Sequence, residues 1–300
     1  MYAKVSYGVI YKVIRRIFML KEKLFKYIDR ALKVISVLGL YEGLLYSIKA
    51  KILRNKTADA ILRVVLHGGK SWKYMRGKVL EMHGEKIIEI GKDVYMWRGK
   101  VFNVPGELTA DFISIILLEI IMDRIYVLEG SYDVIVDIGG FLGETAWWFI
   151  TEGYTKRVIV LEPVYYDLCR SNVGDVAEVH SQAVHWSKGA AVFEVRGGQS
   201  RIALNGEKVA ETVTLAEILS SLTGRVAVKM DCEGCEEALI HTPCDVVRKA
   251  EEYIVEIHPQ VSVESVVKYM ESCGFSASPR LMYSGEEVIY HFRRHYSTSG

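Results

Sequence analysis

The segment from Tyr132 to Phe149, YDVIVDIGGFLGETAWWF, constrains this chain most, because it joins a strand pattern to a glycine-rich turn and then to a helix pattern. Val134, Ile135 and Val136 form a short β-branched run, as a parallel strand covered on both faces requires. Asp137 closes the run. Gly139, Gly140 and Gly143 then permit a tight turn that a ligand or another backbone can approach closely, and the apolar residues from Ala146 to Ile150 begin a buried helix.

Charge bears on what such a turn can hold. In a dinucleotide-binding loop the glycines and the helix N-terminus face a pyrophosphate, and a carboxylate in the turn opposes that ligand. Asp137 sits there, and the glycine order is G-G-x-x-G rather than G-x-G-x-x-G. A ligand carrying an ammonium and a sulfonium, such as S-adenosylmethionine, is favoured by the same carboxylate. Another nucleotide or a purely structural turn remains open from this segment alone.

A second apolar strand follows in RVIVLEPVYYDL, from Val158 to Leu161. Glu162 ends it about 25 residues after Asp137, near the spacing at which an acidic residue accepts from both hydroxyls of a ribose. Glu162 can also be read as a helix N-terminal residue stabilised by the dipole, with Pro163 at the helix start and the helix running to about Asn172.

Two further strands are predicted, Val226 to Met230 in RVAVKMDCEGCEEAL and Tyr253 to Ile257 in EEYIVEIHP. Each carries one charge where an apolar residue is expected, Lys229 and Glu256. Period-two alternation places Lys229 with Asp231 on one face and Glu256 with His258 on one face. Neighbouring strands would let Lys229 and Glu256 pair, either as a buried salt bridge alone or as part of a site at the carboxyl ends, where open α/β sheets bind ligands.

The ordered set VDIGGFLGETA, VLEP, TVTLAEIL, VKMDCEGCEEAL and YIVEIHP resembles the FkbM-type methyltransferases. That family is a class I, S-adenosylmethionine-dependent group that O-methylates sugar or polyketide hydroxyls. The resemblance covers roughly residues 110 to 295. It implies an α/β, Rossmann-like class I methyltransferase fold, with a mostly parallel seven-stranded sheet and helices on both faces. It also implies S-adenosyl-L-methionine as cofactor, with Asp137, Gly139, Gly140, Phe141, Gly143, Glu144 and Thr145 at its methionine end. Glu162 and Pro163 would lie at the ribose, Gln182 and Ala183 at the adenine, and Asp231 beside the methyl group. Lys229, Asp231, Glu233, Glu256 and His258 match the family's charged positions. Phe141 stands where the family usually has Asn, and Cys232 and Cys235 replace small apolar residues.

The sulfonium already activates a methyl group, so the protein must align an acceptor, exclude water and take a proton from a hydroxyl. His258 and Asp231 are the candidate bases, and Glu233 and Lys229 orient or balance charge. A His beside Pro at a strand end is also a common structural hydrogen-bonding residue. No metal is expected, since one carboxylate-rich turn does not itself supply the convergent oxygens of a hard cation. Cys232 and Cys235 form C-x-x-C without a second such pair, which predicts small buried residues rather than a redox or metal pair. A disulfide stays open, because the scarcity of Asn and Gln suits a thermophilic source.

The remainder of the chain divides by charge. Residues 1 to 56 carry 13 Lys or Arg against 3 Asp or Glu, leaving 25 against 34 for the rest. Val9, Val13, Ile17, Leu20 and Leu24 recur at helical spacing, so this basic amphipathic stretch can lie on anionic lipid, contact nucleic acid or cap the domain. Arg15, Arg16, Lys21 and Lys23 exclude a signal peptide, and Lys33 and Glu42 break the most apolar window. A short helix from Thr57 to Gly68, an antiparallel meander over 78–104 and a helix from about Leu108 to Leu128 are expected before the Tyr132 strand. A helix over Val263 to Cys273 and a strand over Val288 to Phe292 close the sheet by resemblance. The expected division is therefore an accessory region at 1–106 and a methyltransferase domain at 107–300. The expected protein is cytoplasmic, with contact at the inner membrane face through residues 1–56, and acts on a hydroxyl-bearing sugar, glycan or glycolipid. Two other classes are open: an RNA methyltransferase using the basic segment, and a non-catalytic protein that keeps the fold.

Overall fold

A computed structural model describes residues 72–75, 79–82, 84–283 and 287–294, which fall into two compact units divided between Lys86 and Ile87. The expected basic helices and the Thr57 helix lie outside the described residues. In the first unit, β1 (Trp72–Met75) and β2 (Val79–Met82) form an antiparallel hairpin. Strand β3 (Glu85–Gly91) leads into the second unit, where it pairs with β4 (Val94–Trp97), and β4 pairs with β5 (Lys100–Asn103), both antiparallel. This is the expected meander.

The meander is fastened within the second unit by Asn172, whose side chain is buried. Its Oδ1 accepts from the Asn103 amide at 2.8 Å, while Nδ2 donates to the carbonyls of Asn103 and Leu142. One amide thus ties β5 to the turn that follows the Tyr132 strand.

Helix α1 (Thr109–Ser114) passes into a π-helical segment, Ile115–Met122, so the expected single helix to Leu128 is shorter and wider than its 3.6-residue pattern predicts. The chain then builds β6 (Val134–Ile138), α2 (Glu144–Thr151), β7 (Val158–Leu161), α3 (Tyr166–Val173) and β8 (Glu178–His180). Strands β9 (Ala183–His185), β10 (Gly189–Glu194), β11 (Arg201–Ile202) and β12 (Lys208–Thr214) make a separate four-stranded sheet ordered β11-β10-β12-β9. The sequence reading did not anticipate it. Thr214 then caps α4 (Leu215–Ser220) through a capping box with Glu217.

Strand β13 (Val226–Met230) is followed by a 3₁₀ turn, Cys235–Leu239, rather than by a regular helix. Helix α5 (Cys244–Val247), β14 (Glu252–Ile257), α6 (Val263–Ser272), β15 (Phe275–Tyr283) and β16 (Glu287–Arg294) complete the unit. The large sheet runs β15-β16-β14-β13-β6-β7-β8, parallel except where β16 pairs with β14 and β15. This is the Rossmann-like α/β architecture expected. Every residue of β6, β7, β13 and β14 is buried, which explains their unbroken apolar runs. The chain order reverses between β6 and β13, and the crevice beyond their carboxyl ends is where such sheets take ligands.

Two disulfides correct the cysteine expectation. Cys232 bonds Cys235 across the turn that follows β13, and Cys244 bonds Cys273, joining α5 to the end of α6; Cys169 is free and buried. C-x-x-C here bridges a turn too short to need a metal or a second pair. Among the described residues, no helix is long and apolar enough to cross a membrane. The Cys244–Cys273 bond closes a loop with sequence separation 29. Replacing both residues by Ser is expected to lower unfolding free energy by about 2–4 kcal/mol in denaturant titrations, and an unchanged midpoint would count against this pairing.

Candidate active site

Asp137 and Lys229 meet because β6 and β13 are parallel neighbours in a register that sets Lys229 opposite Asp137. Both are buried, and Lys229 Nζ lies 3.2 Å from Asp137 Oδ1 and 3.6 Å from Asp231 Oδ2. It also donates to the Gly139 carbonyl at 2.7 Å. On the other side, β14 presents Ile254 to Lys229 rather than Glu256, so register makes Asp137 the cross-strand carboxylate that alternation alone had placed at Glu256. Thr145 of α2 donates to Asp137 Oδ2. Burial raises the Asp137 pKa against the opposing pull of Lys229 and Thr145. Burial also disfavours the Lys229 ammonium, but Asp137 and Asp231 outweigh it and hold the group charged.

The glycine turn is shaped by close backbone approach. Gly139 has φ 78°, and a Cβ there would stand 1.8 Å from the Asp231 carbonyl oxygen. Gly143, with φ 93°, sits against Val173 of α3, where a Cβ would meet a methyl carbon at 2.5 Å. Phe141 occupies the left-handed region at φ 45°, a conformation that suits Asn better than a bulky side chain. Two contacts hold it there: its amide donates to Glu162 Oε2 at 2.9 Å, and its ring meets Tyr165 edge-on at 5.3 Å.

Glu162 therefore does more than close β7. Oε1 accepts from the amides of Val164 and Tyr165 at 2.7 and 2.8 Å, while Oε2 accepts from Phe141. The carboxylate pins the glycine turn to the start of the next connection, and burial raises its pKa against these three donors. Oε2 keeps a second lone pair for a further donor, while both lone pairs of Oε1 are taken. Glu144 is also buried, its Oε2 has no hydrogen-bond partner, and burial pushes its pKa well up.

These elements line a single pocket at the carboxyl ends of β6, β7 and β13. Gly139, Gly140, Phe141, Glu144 and Thr145 line it from the turn, and Glu162 and Pro163 from the end of β7. Lys229, Asp231 and Glu233 line it from β13 and its turn, with Cys232 and Cys235 beside them. Ala183 and Val184 close one side, but Gln182 is not among the lining residues; Asp137, Gly143 and His258 support the wall from behind. The loop from Gly197 to Arg201, where the sequence reading expects substrate specificity without naming a ligand, contributes Gly197, Gly198 and Ser200, whereas Ile115, Tyr126, Tyr165, Phe193 and Ile202 were missed.

His258 ends β14 and is 3% exposed. Its Nδ1 lies 3.0 Å from Glu236 Oε1, and its Nε2 stands 3.6 Å from Glu233 Oε1 and 3.8 Å from Asp231 Oδ1. Burial alone would lower its pKa, yet Glu236, Asp231 and Glu233 together raise it to about 10. His258 is thus a cation at neutral pH. Glu236, fully buried, was another residue missed; it also accepts from the Cys232 amide at 3.3 Å. Donor atoms of Asp231, Glu256 and His258 lie within 4.8 Å of one another, a spacing that could admit a divalent cation, but imidazolium and ammonium charges already face this carboxylate group.

No family model matches the chain, and no curated protein matches it. Solved structures do. A TrmK structure from M. capricolum, in complex with S-adenosyl-homocysteine, is 9% identical over 59% of this chain and 68% of that chain, with a TM-score of 0.36. An O-methyltransferase family protein from Burkholderia thailandensis is 9% identical over 64% of this chain and 60% of that chain, with a TM-score of 0.39. A precorrin-6y C5,15-methyltransferase from Geobacter metallireducens GS-15 is 14% identical over 58% of this chain and 85% of that chain, with a TM-score of 0.34. The architecture described above rests on strand order and register, not on these distant similarities.

The His258 environment has a thermodynamic consequence. Its pKa rises from 6.5 to about 10 on folding, so its ion pairing stabilises the fold fully below pH 6.5 and is lost as pH rises through 10. The melting-temperature deficit of His258→Gln is therefore expected to be largest near pH 6 and to shrink steadily toward alkaline pH, as thermal scans across that range can check. A deficit independent of pH would contradict the charged state.

Proposed function

We propose that this chain is an S-adenosylmethionine-dependent methyltransferase of the FkbM type that methylates a hydroxyl of a sugar, glycan or glycolipid. The observation that carries this reading is the buried carboxylate set around the glycine turn: Asp137, Glu144 and Glu162, with Glu144 Oε2 unpartnered at the cavity wall. The pocket's buried ammonium, Lys229, is already paired with Asp137, while the acceptor oxygens of Glu144 and Glu162 suit a ligand with an ammonium, a sulfonium and a ribose diol. Within this reading Glu144 meets the methionine end with the Thr145-held Asp137 behind it, Glu162 accepts from the ribose, and Ala183 packs on the adenine. When bound, the cofactor supplies a methyl group already activated by its sulfur.

The chain's own work is then to place an acceptor oxygen beside that methyl and to remove its proton. Asp231 is the base. It lines the cavity, is 26% exposed at its side chain, and lies beside Lys229 and His258, two cations that orient it. His258, already protonated, orients Asp231 and Glu233 rather than accepting the proton. Glu233 hydrogen-bonds the acceptor at the cavity mouth. Removing water between acceptor and base falls to the apolar wall of Phe141, Phe193 and Ile202.

Residues 107–300 form the catalytic domain in this reading, and 1–106 an accessory region whose basic part contacts anionic lipid headgroups at the inner face of the membrane, in the cytoplasm. An RNA acceptor is the alternative that the basic segment permits; salt-sensitive tRNA binding lost on deleting residues 1–56 would favour it over a glycan.

Calorimetry with S-adenosylmethionine and S-adenosylhomocysteine tests the core assignment. Wild type is expected to bind both, and the isosteric Glu144→Gln to bind about ten-fold more weakly. Asp137→Ala should lose more. No binding by wild type would return the chain to the non-catalytic class, and equal binding by both variants would move the site.

A further inference from the structure

The apolar run Ile115–Met122 contains one charged residue, Glu119. Its π-helical turns and the contact of the Ile125 amide with the Glu119 carbonyl at 3.0 Å bring Tyr126 close behind it. Tyr126 is 1% exposed, and its hydroxyl stands 3.1 Å from Glu119 Oε2 and 3.0 Å from Asp231 Oδ2. A phenol has one proton to donate, and both neighbours are carboxylates. The arrangement is complete only when one carboxyl group carries a proton and donates it to the phenolic oxygen.

The surroundings decide which one. Asp231 faces Lys229 Nζ at 3.6 Å and His258 Nε2 at 3.8 Å, so the cations lie on its side of the phenol and the shared proton on the Glu119 side. Glu119 is subject first to burial and then to the charge of Asp231, with Asp123 adding to both; the Tyr126 hydrogen bond and Lys229 pull the other way. Its pKa rises to about 7. Glu256 completes the charged groups that face the phenol among the described residues. Lys229 also stands 5.4 Å from the Tyr126 ring centroid, fixing the ring's place between the two acids.

We propose that Tyr126 and Glu119 are positioning residues for methyl transfer, holding Asp231 toward the acceptor and carrying the proton it receives away through the phenol. This rests on the assignment of Asp231 as base. Before transfer, Glu119 O–H donates to Tyr126 and Tyr126 O–H donates to Asp231. Glu119, whose pKa of about 7 sets its proton at the edge of release, gives it up to solvent. The acceptor oxygen then forms its bond to the methyl carbon, the carbon–sulfur bond breaks with its electron pair going to sulfur, and the hydroxyl proton passes to Asp231. Asp231 O–H now donates to Tyr126, whose own proton moves to the Glu119 carboxylate, which restores the starting state.

The test uses the full chain labelled with ¹³C at the Glu carboxyl carbons and titrated by NMR from about pH 5 to 9. One resonance is expected to titrate near 7, to be absent in Glu119→Gln, and to fall by about one pH unit in Asp231→Asn, where the neighbouring charge is gone. Tyr126→Phe should raise the midpoint. A midpoint near the ordinary Glu value, or one near 7 that ignores Asp231→Asn, would overturn the proposal, and the wild-type titration decides the first point even where a variant fails to fold. Calorimetry with S-adenosylmethionine in buffers of different ionisation enthalpy separates this from the reading beneath it. Proton release near pH 7 that Glu119→Gln abolishes supports the relay, and binding without release removes it. Absence of cofactor binding beside an intact Glu119–Asp231 coupling removes the methyltransferase reading while leaving the proton-sharing triad.

Discussion

The second unit depends on the Lys229 ammonium, buried between Asp137, Asp231 and the Gly139 carbonyl. Charges taken out of water cost several kcal/mol each unless geometry and hydrogen bonds compensate. Here the compensation is topological: parallel register sets Lys229 against Asp137, and the glycine at 139 lets the turn's carbonyl reach the same nitrogen. Because Gly139 also packs on the Asp231 backbone, the ion pair, the turn and the β13 end cannot move separately. Replacing only one partner would leave the other charge buried and uncompensated, which is costlier than never having the pair. The same cation therefore closes the sheet's switch point and holds Asp231 beside it.

Strand ends were the legible part of this site. Asp137, Glu162, Asp231 and His258 each follow an apolar run, and the rule that open sheets bind at carboxyl ends needs nothing more. What escaped was whatever depends on register or on departures from regular geometry. Alternation could place Lys229 on a face but could not choose between Asp137 and Glu256, since that choice lies in how β6, β13 and β14 align. Glu119 and Tyr126 were hidden because a π-helical segment does not follow the 3.6-residue period used to read Leu108 to Leu128. The signal available was the lone acid in IILLEIIM. The β9–β12 sheet escaped for a simpler reason: its strands are short, half exposed and broken by glycine, so no period stands out.

Phe141 and the Cys232–Cys235 bond show how one local constraint can stand in for another. A bulky residue at φ 45° costs energy that Asn would lower, and here a carboxylate on its amide and an aromatic edge on its ring restrain it. The D-C-E-G-C turn places Glu233 at φ 56° and Gly234 at φ 115°, and the disulfide spans both. A turn closed by a covalent bond keeps Glu233 facing His258 without a regular helix behind it. The 3₁₀ turn that follows is consistent with this, since a full helix would carry Glu236 away from the His258 Nδ1 it contacts.

Charge balance explains why His258 is better placed to hold than to take a proton. Three carboxylates surround its ring, and one of them, Glu236, is fully buried. A neutral imidazole there would leave those acids facing one another across a few ångströms of low-dielectric space. Protonation relieves the repulsion, and the two ring N–H groups then point to opposite sides, one to Glu236 at 3.0 Å and one between Asp231 and Glu233. A group whose proton is held by three anions is a poor general base at neutral pH, because giving that proton up costs more than the transfer would return. In the proposed reaction the basic role falls instead to Asp231, which lines the pocket beside Lys229 and His258.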